Sequence, residues 1–202
     1  LSGSSNQKYV DLEYYKTLIE KWNLVDSLRP DEDLGGDIGE GVNSDYQDYG
    51  LTIGKSDSMI YFTSRRHDGD ASKHKELNHL ENEDIYISYK NADGEWEDAK
   101  AFSQINTSFN EGSPAMSPDG KLIVFSRCFA PGGQGNCDLY QAEWIEKDSA
   151  WSQVVNMGKY INGKSWDSHP TFSVTGDTLY FSSDRKGGFG NADLYYSLRT
   201  KN

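Results

Sequence analysis

Three carboxylates stand at the same position of three similar seven-residue stretches, and they are the residues best placed to do chemistry. VNSDYQD ends at Asp48, INTSFNE ends at Glu111 and INGKSWD ends at Asp167. Carboxylates that converge in a low dielectric repel one another, so they need a cation, a network of donors or a raised pKa. We therefore take the three as a candidate site for a cation or another ligand at the rim of a channel.

Three side chains beside these carboxylates would join such a site. They are an amide, an indole and an imidazole, namely Asn110, Trp166 and His169. The competing interpretation is structural. In that case each carboxylate accepts hydrogen bonds from backbone N–H groups, or from Asn106 or Asn162 of a neighbouring repeat.

The elements that position these residues form an internal repeat. Three segments align, YGLTIGKSDSMIYFTSRR, GSPAMSPDGKLIVFSRC and SHPTFSVTGDTLYFSSDR, and their core phenylalanines are Phe62, Phe125 and Phe181. The spacings are 125 − 62 = 63 and 181 − 125 = 56 residues. Alternating apolar residues bounded by Gly and Asp predict strands. Each unit predicts two strands joined by a tight turn, a glycine-rich loop and two further strands, which is the pattern of a propeller blade.

An Asn-x-Asp motif opens the third strand of each repeat. The six residues are Asn82, Asp84, Asn136, Asp138, Asn191 and Asp193. Asn and Asp at such positions commonly hydrogen-bond to nearby backbone and hold a turn. One copy in each repeat favours a structural role for all six.

The two cysteines lie on either side of the glycine-rich loop of the second repeat. Cys128 follows the second strand, and Cys137 precedes the third strand, its antiparallel neighbour. We expect a disulfide, which would stabilise the fold by about 2–3 kcal/mol and imply an oxidising compartment such as the periplasm. Two reduced thiols are the alternative.

The strings SPDGKLIVFSR and GGFGNADLYYS resemble the WD-repeat-like unit of TolB-type β-propeller proteins. The resemblance is closest to the form found in envelope proteins of Bacteroidetes-like bacteria, where such repeats accompany an OmpA-like domain. It implies an all-β propeller of four-stranded blades, with about three blades and part of another, as an incomplete portion of a larger propeller. The blades would span residues 42–104, 105–160 and 161–202.

The N-terminal segment, residues 1–41, precedes these repeats and has two interpretations. Residues 11–25 predict an amphipathic helix, or they align with DLYQAEWIEK of the second repeat as part of a further blade, which we favour. The stretch DEDLGGDIGE is an acidic linker that superficially resembles a calcium loop. Its fifth position is Gly35 and its twelfth is Val42, so it does not match that motif.

Composition and motif content argue against several classes of function. The chain has 32 acidic and 20 basic residues and a net charge of −12, which disfavours nucleic acid and anionic lipid as partners. No apolar run approaches the ~20 residues of a membrane-spanning helix, so direct membrane insertion is not expected. G-x-S-x-G and H-E-x-x-H are absent, and the histidines of the insertion at 65–81 match no metal motif. We expect no enzymatic activity, no metal site and no cofactor, with Ca²⁺ or another cation as the one candidate.

These observations predict a non-enzymatic binding or scaffold module of a bacterial cell envelope, periplasmic or associated with the outer membrane. The resemblance implies partners in an outer-membrane, secretion or peptidoglycan-associated assembly, or the remainder of the chain's own propeller. Peptidoglycan or another glycan is a further candidate partner. The alternative function is a carbohydrate-binding or polysaccharide-cleaving propeller that uses the rim carboxylates, with Tyr46, Phe109 and Trp166 as its aromatic residues.

Overall fold

The computed structural model describes Lys16, Glu20 and residues 36–66 and 83–199. The chain divides into two compact units, Leu1–Asp37 and Ile38–Asn202. Lys16 and Glu20 are helical. The remainder of residues 11–25, Asn82 and most of the insertion at 65–81 lie outside the described residues.

The second unit consists of three antiparallel sheets, one for each repeat. The first sheet contains β1 (Asp48–Ile53), β2 (Met59–Ser64), β3 (Asp84–Tyr89) and β4 (Lys100–Ala101) in that order. The second contains β5 (Asn110–Met116), β6 (Leu122–Cys128), β7 (Cys137–Ile145) and β8 (Ala150–Trp151), with β9 (Val155–Asn156) also paired to β7. The third contains β10 (Asp167–Phe172), β11 (Thr178–Ser183) and β12 (Asp193–Leu198).

All strand pairs in these sheets are antiparallel, and every regular element of residues 36–66 and 83–199 is a strand. The all-β prediction is therefore confirmed for this part of the chain. Closure of these sheets into a propeller remains a prediction. No helix among the described residues is long and apolar enough to cross a membrane.

The tight turn between the first two strands follows from its sequence, S-P-D-G in the second repeat. The Gly120 N–H donates to the Ser117 carbonyl oxygen at 2.8 Å, and Gly120 has φ +67°, a conformation that glycine adopts without a steric penalty. The Ser117 hydroxyl donates to Asp119 and accepts the Leu122 N–H. The third repeat builds the same turn with Gly176 at φ +71°.

The apolar core lies between successive sheets, because alternate residues of each strand face opposite neighbours. Ile85 of the first sheet and Phe125 of the second belong to one buried cluster. Leu139 of the second sheet and Phe181 of the third belong to another. The second sheet therefore buries one face against the first sheet and the other against the third, and its first strand, β5, lies between β1 and β10.

Candidate ligand-binding site

Each of the three repeated carboxylates forms an ion pair with an arginine of its own sheet. Asp48 pairs with Arg66, Glu111 with Arg127 and Asp167 with Arg185, all with N···O distances of 2.7 Å. Each guanidinium also donates to a backbone carbonyl oxygen at the start of its repeat and lies over two aromatic rings. The cation beside each carboxylate is thus supplied by the protein.

Backbone N–H groups complete the coordination of these carboxylates. Ser44 donates its N–H and its hydroxyl to Asp48, each at 2.7 Å, and Thr107 does the same to Glu111 at 3.0 and 2.5 Å. The Glu111 side chain is fully buried, so an additional cation would have to displace the guanidinium. This arrangement corresponds to the structural interpretation, except that Asn106 and Asn162 do not serve as its donors.

The environment of each carboxyl group determines its pKa. Burial raises the pKa of Glu111 to about 7, although hydrogen bonds from Thr107 and the charge of Arg127 oppose this effect. At Asp48 burial acts in the same direction, but hydrogen bonds from Arg66, Ser64 and Ser44 together hold the pKa below its ordinary value. The two positions are equivalent in the repeat, yet Asp48 is ionised more readily than Glu111.

The other three predicted rim residues, Asn110, Trp166 and His169, lie together in a cavity of about 190 Å³. We call it the junction cavity, because the first strands of all three sheets contribute to it. Its lining also includes hydroxyl and carboxylate side chains, namely Tyr49, Glu83, Ser113, Ser126 and Ser168. The structure therefore separates the six predicted rim residues into a cavity-lining set and a set of buried ion pairs.

The first strand of each sheet carries a bulge beside this cavity. The residues at the bulge are Gly50, Ser113 and His169, with φ +65°, +51° and +51°. Positive φ is costly for residues other than glycine and is concentrated at functional positions. In the second and third sheets the bulge therefore places a serine and a histidine on the cavity wall at the expense of backbone strain.

Asn110 supplies an acceptor that the protein does not use. Among the described residues its Oδ1 atom is buried and accepts no hydrogen bond. A buried polar atom without a partner costs about 1–3 kcal/mol.

Glu83 supplies the acidic wall of the cavity. Its carboxylate accepts hydrogen bonds from the Tyr49 hydroxyl at 2.5 Å and from Arg65 at 2.7 Å. Burial and the neighbouring Glu83 raise the pKa of Tyr49, so this hydroxyl remains a donor. Tyr49, Arg65 and Glu83 are not among the site residues predicted from the sequence. The available signal was that Glu83 stands in the motif NED, where the other repeats have NCD and NAD.

The aromatic wall of the cavity is formed by Trp166 and His169. Their ring centroids are 5.5 Å apart and the rings are tilted by 54°. The hydroxyl oxygens of Ser126 and Ser168 are 2.7 Å apart and share a hydrogen bond. Among the described residues no group of three or more His, Cys, Asp and Glu is arranged to hold a metal ion.

The aspartates of the Asn-x-Asp motifs hold the glycine-rich loops. Asp138 accepts the N–H groups of Gln134 and Gly135, and Asp193 accepts those of Phe189 and Gly190. The carboxylate of Asp193 occupies the space that a Cβ on Gly188 would need, which is why this loop position has no side chain. Asp84 begins β3 in the first sheet, and Asn136 and Asn191 lie in the corresponding loops.

The two cysteines join β6 to β7. Cys128 and Cys137 are paired in register across these strands and form a disulfide. Cys128 also lines the junction cavity, so the disulfide stabilises one of its walls.

Comparisons with known proteins find similarity at the level of structure. No family model and no curated protein matches the chain. The crystal structure of TolB from Acinetobacter baumannii is similar over 78% of this chain, with 19% sequence identity and a TM-score of 0.47. The chain covers 31% of the length of that protein.

Proposed function

We propose that the chain is a non-enzymatic binding module that serves as a scaffold in an assembly of the bacterial envelope, and that the junction cavity is its recognition site. The observation that carries this proposal is the junction cavity itself, in which Asn110, Trp166 and His169 of two sheets lie together with Glu83 of the first repeat.

The size of the cavity favours a side chain of a partner protein over a whole small molecule. Its volume of about 190 Å³ lies below the ~300–1,000 Å³ of pockets that enclose drug-sized ligands. The lining presents acceptors at Asn110 and Glu83 and aromatic faces at Trp166 and His169. A side chain with N–H donors, such as Gln, Lys or Arg, satisfies both features. The net charge of −12 favours partners with a basic surface.

The disulfide supports an envelope location for this module. Disulfides persist in the periplasm and at cell surfaces and are rare in the reducing cytosol. Cys128 and Cys137 form such a bond within one sheet. We therefore place the proposed interaction in the periplasm or at the outer membrane.

A photo-crosslinking experiment tests this proposal. A benzophenone amino acid replaces Trp166 in the cavity or, as a matched control, Val174, which is 94% exposed and does not line the cavity. Each protein is irradiated with an envelope extract of the source bacterium, and adducts are identified by mass spectrometry. We expect a defined protein adduct at position 166 that Asn110→Leu abolishes. Equal adducts at both positions, or none at 166, would refute the proposal.

Carbohydrate binding is the second candidate function, favoured by the indole of Trp166 beside serine hydroxyls in one cavity. Glycan cleavage needs two carboxylates about 5–9.5 Å apart, and Glu83 is the one carboxylate among the described residues of this lining. The site is therefore better suited to binding than to cleavage. Titration of tryptophan fluorescence with soluble peptidoglycan fragments tests this candidate. Saturable binding that Asn110→Leu removes, without a protein adduct, would favour it.

A further inference from the structure

A second cavity, of about 370 Å³, lies between the first and second sheets. Five aromatic side chains line it, namely Tyr61, Tyr89, Phe102, Trp144 and Trp151. We call it the aromatic cavity. Its walls come from the first and second repeats, each of which has at least four strands among the described residues. It is therefore formed entirely between two sheets that are both present in full.

Three of these rings stand nearly perpendicular to one another, like the adjoining walls of a box. The Trp151 ring lies at 71° to the Trp144 ring and at 76° to the Phe102 ring, with centroids 5.6 and 6.3 Å apart. The Tyr61 ring is tilted by 49° from Phe102, at a centroid distance of 5.3 Å. Aromatic rings carry a negative potential on their faces, so rings in several planes suit the binding of a cation.

The aromatic character of this cavity is not a requirement of the repeat. A cavity of about 300 Å³ between the second and third sheets is built from equivalent positions, as the strand register shows. At the positions of Tyr61, Tyr89 and Trp144 it has Val124, Glu143 and Arg199. Successive sheets therefore pack without rings at these positions, and the aromatic residues of the first cavity are available for recognition.

Charged side chains of both signs belong to the lining of the aromatic cavity. Lys55 and Glu146 are 61% and 58% exposed, and their Nζ and Oε1 atoms are 3.6 Å apart. Lys121 lies 4.0 Å from the same carboxylate, which also accepts the Trp144 indole N–H at 3.3 Å. Exposed ion pairs of this kind are weak, so each partner is able to exchange the other for a charge on a ligand.

We propose that the aromatic cavity binds a small zwitterion that carries a quaternary ammonium group close to an anionic group. A quaternary ammonium has no N–H to donate, and aromatic rings recognise it by cation–π attraction. The anionic group of the ligand pairs with Lys55 and Lys121, and Glu146 balances the cationic end. A primary ammonium fits less well, because it needs several acceptors and the Glu146 carboxylate is already engaged by two lysines and an indole.

This inference does not depend on the proposed function, because the aromatic cavity and the junction cavity share no lining residue. Loss of one site would leave the other intact. The same ligand chemistry occurs in free solutes and in the headgroups of zwitterionic lipids, and the experiment includes one arm for each source.

Calorimetry of the intact, oxidised chain with a series of related probes tests the proposal. Phosphocholine carries both charges, and choline carries only the cation. Dimethylbutanol, in which carbon replaces the nitrogen of choline, carries no charge. We expect saturable binding of phosphocholine, weaker binding of choline, and binding of dimethylbutanol at least about tenfold weaker than that of choline. This comparison uses the unaltered protein, so it does not depend on the folding of a variant.

Two tryptophan substitutions locate the site. Trp144→Leu removes a ring of the cavity, whereas Trp96→Leu is the matched control, because Trp96 pairs with Lys90 beside β3 and does not line the cavity. We expect Trp144→Leu to weaken phosphocholine binding at least about tenfold and Trp96→Leu to change it by less than about twofold. Circular dichroism confirms that each variant is folded. Co-flotation of the chain with phosphatidylcholine vesicles would identify the ligand as a lipid headgroup, and binding of free phosphocholine alone would identify it as a solute.

Several outcomes would overturn the proposal. The absence of saturable binding at millimolar phosphocholine is one, and equal affinity for choline and dimethylbutanol is another. Equal losses in folded Trp144→Leu and Trp96→Leu proteins would place the binding outside the cavity. Binding of a disaccharide in place of phosphocholine, with the same dependence on Trp144, would assign the cavity to glycans.

Discussion

The Asn162 side chain accepts the Leu139 N–H and donates to the Leu139 carbonyl oxygen, a two-bond arrangement that acts as an amide clamp. The chain also contains a matched control residue for a prediction about how much this clamp stabilises the fold. The Asn162 side chain is 4% exposed, and the Leu139 N–H has this side chain as its acceptor. Asn43 stands at the same position of the first repeat, in VNSDYQD, but it is exposed and makes no such bonds to the described residues. Asn162→Ala therefore removes a clamp, whereas Asn43→Ala changes only a solvated side chain.

The magnitude follows from which groups lose their partners. In Asn162→Ala the buried Leu139 N–H is left without an acceptor, which costs about 1–3 kcal/mol. The Leu139 carbonyl oxygen keeps the Met157 N–H as a donor, so its loss is smaller. We expect Asn162→Ala to lower the free energy of unfolding by about 2–3 kcal/mol. Asn43→Ala should change it by less than about 0.5 kcal/mol.

Urea denaturation, followed by tryptophan fluorescence with the disulfide intact, measures both variants. For a chain of this size 1 kcal/mol corresponds to roughly 2–4 °C in Tm, so thermal unfolding should show a decrease of about 4–12 °C for Asn162→Ala. Equal destabilisation by the two substitutions would refute the reasoning, because it would show that the repeat position and not the clamp carries the effect. An unchanged Asn162→Ala protein would refute it as well.

Three further predictions concern the ion pairs, the loops and the disulfide. Burial raises the pKa of Glu111 to about 7, so between pH 4.5 and 7 this group binds more protons in the folded state than in the unfolded chain. The free energy of unfolding should therefore fall as the pH rises through this window. Glu111→Gln should flatten that slope. Gly188→Ala should lower the free energy of unfolding, measured in urea, by about 1–2 kcal/mol, because the added Cβ overlaps Asp193. A Cβ on Gly190 has no neighbour nearer than 3.9 Å, so Gly190→Ala should be nearly neutral. Reduction of the Cys128–Cys137 disulfide, which closes a short loop, should lower the unfolding free energy by about 2–3 kcal/mol, measured with and without dithiothreitol. An unchanged pH slope, equal glycine variants or an unaffected reduced protein would each contradict the corresponding account.

The strands, turns and loops could be predicted from the sequence because their causes are local. The S-P-D-G turn needs residues within a few positions of one another, and its hydrogen bonds join Ser117 to Asp119, Gly120 and Leu122. The loop aspartates likewise bind backbone groups three or four residues away. Such patterns recur in every repeat, so alignment alone reveals them.

The arginine partners of the carboxylates depend on tertiary structure. Arg66 and Arg185 each lie four residues after the core phenylalanine of their repeat, but Arg127 lies only two residues after Phe125. Alignment therefore does not show the three arginines as equivalent. In the fold the longer side chain of Glu111, which stands where the other repeats have Asp, still meets Arg127 at 2.7 Å. The reach of two side chains, and not their register, produces this pair.

The junction cavity also required the fold, because its walls come from three different repeats. The sequence predicted Asn110, Trp166 and His169 as neighbours of the carboxylates, and all three line the cavity, with His169 at the bulge of β10. Glu83 joins them from the position just before β3, where the NED motif departs from the NCD and NAD of the other repeats. Local hydrogen bonding determines the strands and turns of each repeat, whereas packing between repeats decides which side chains share a cavity and which become buried ion pairs.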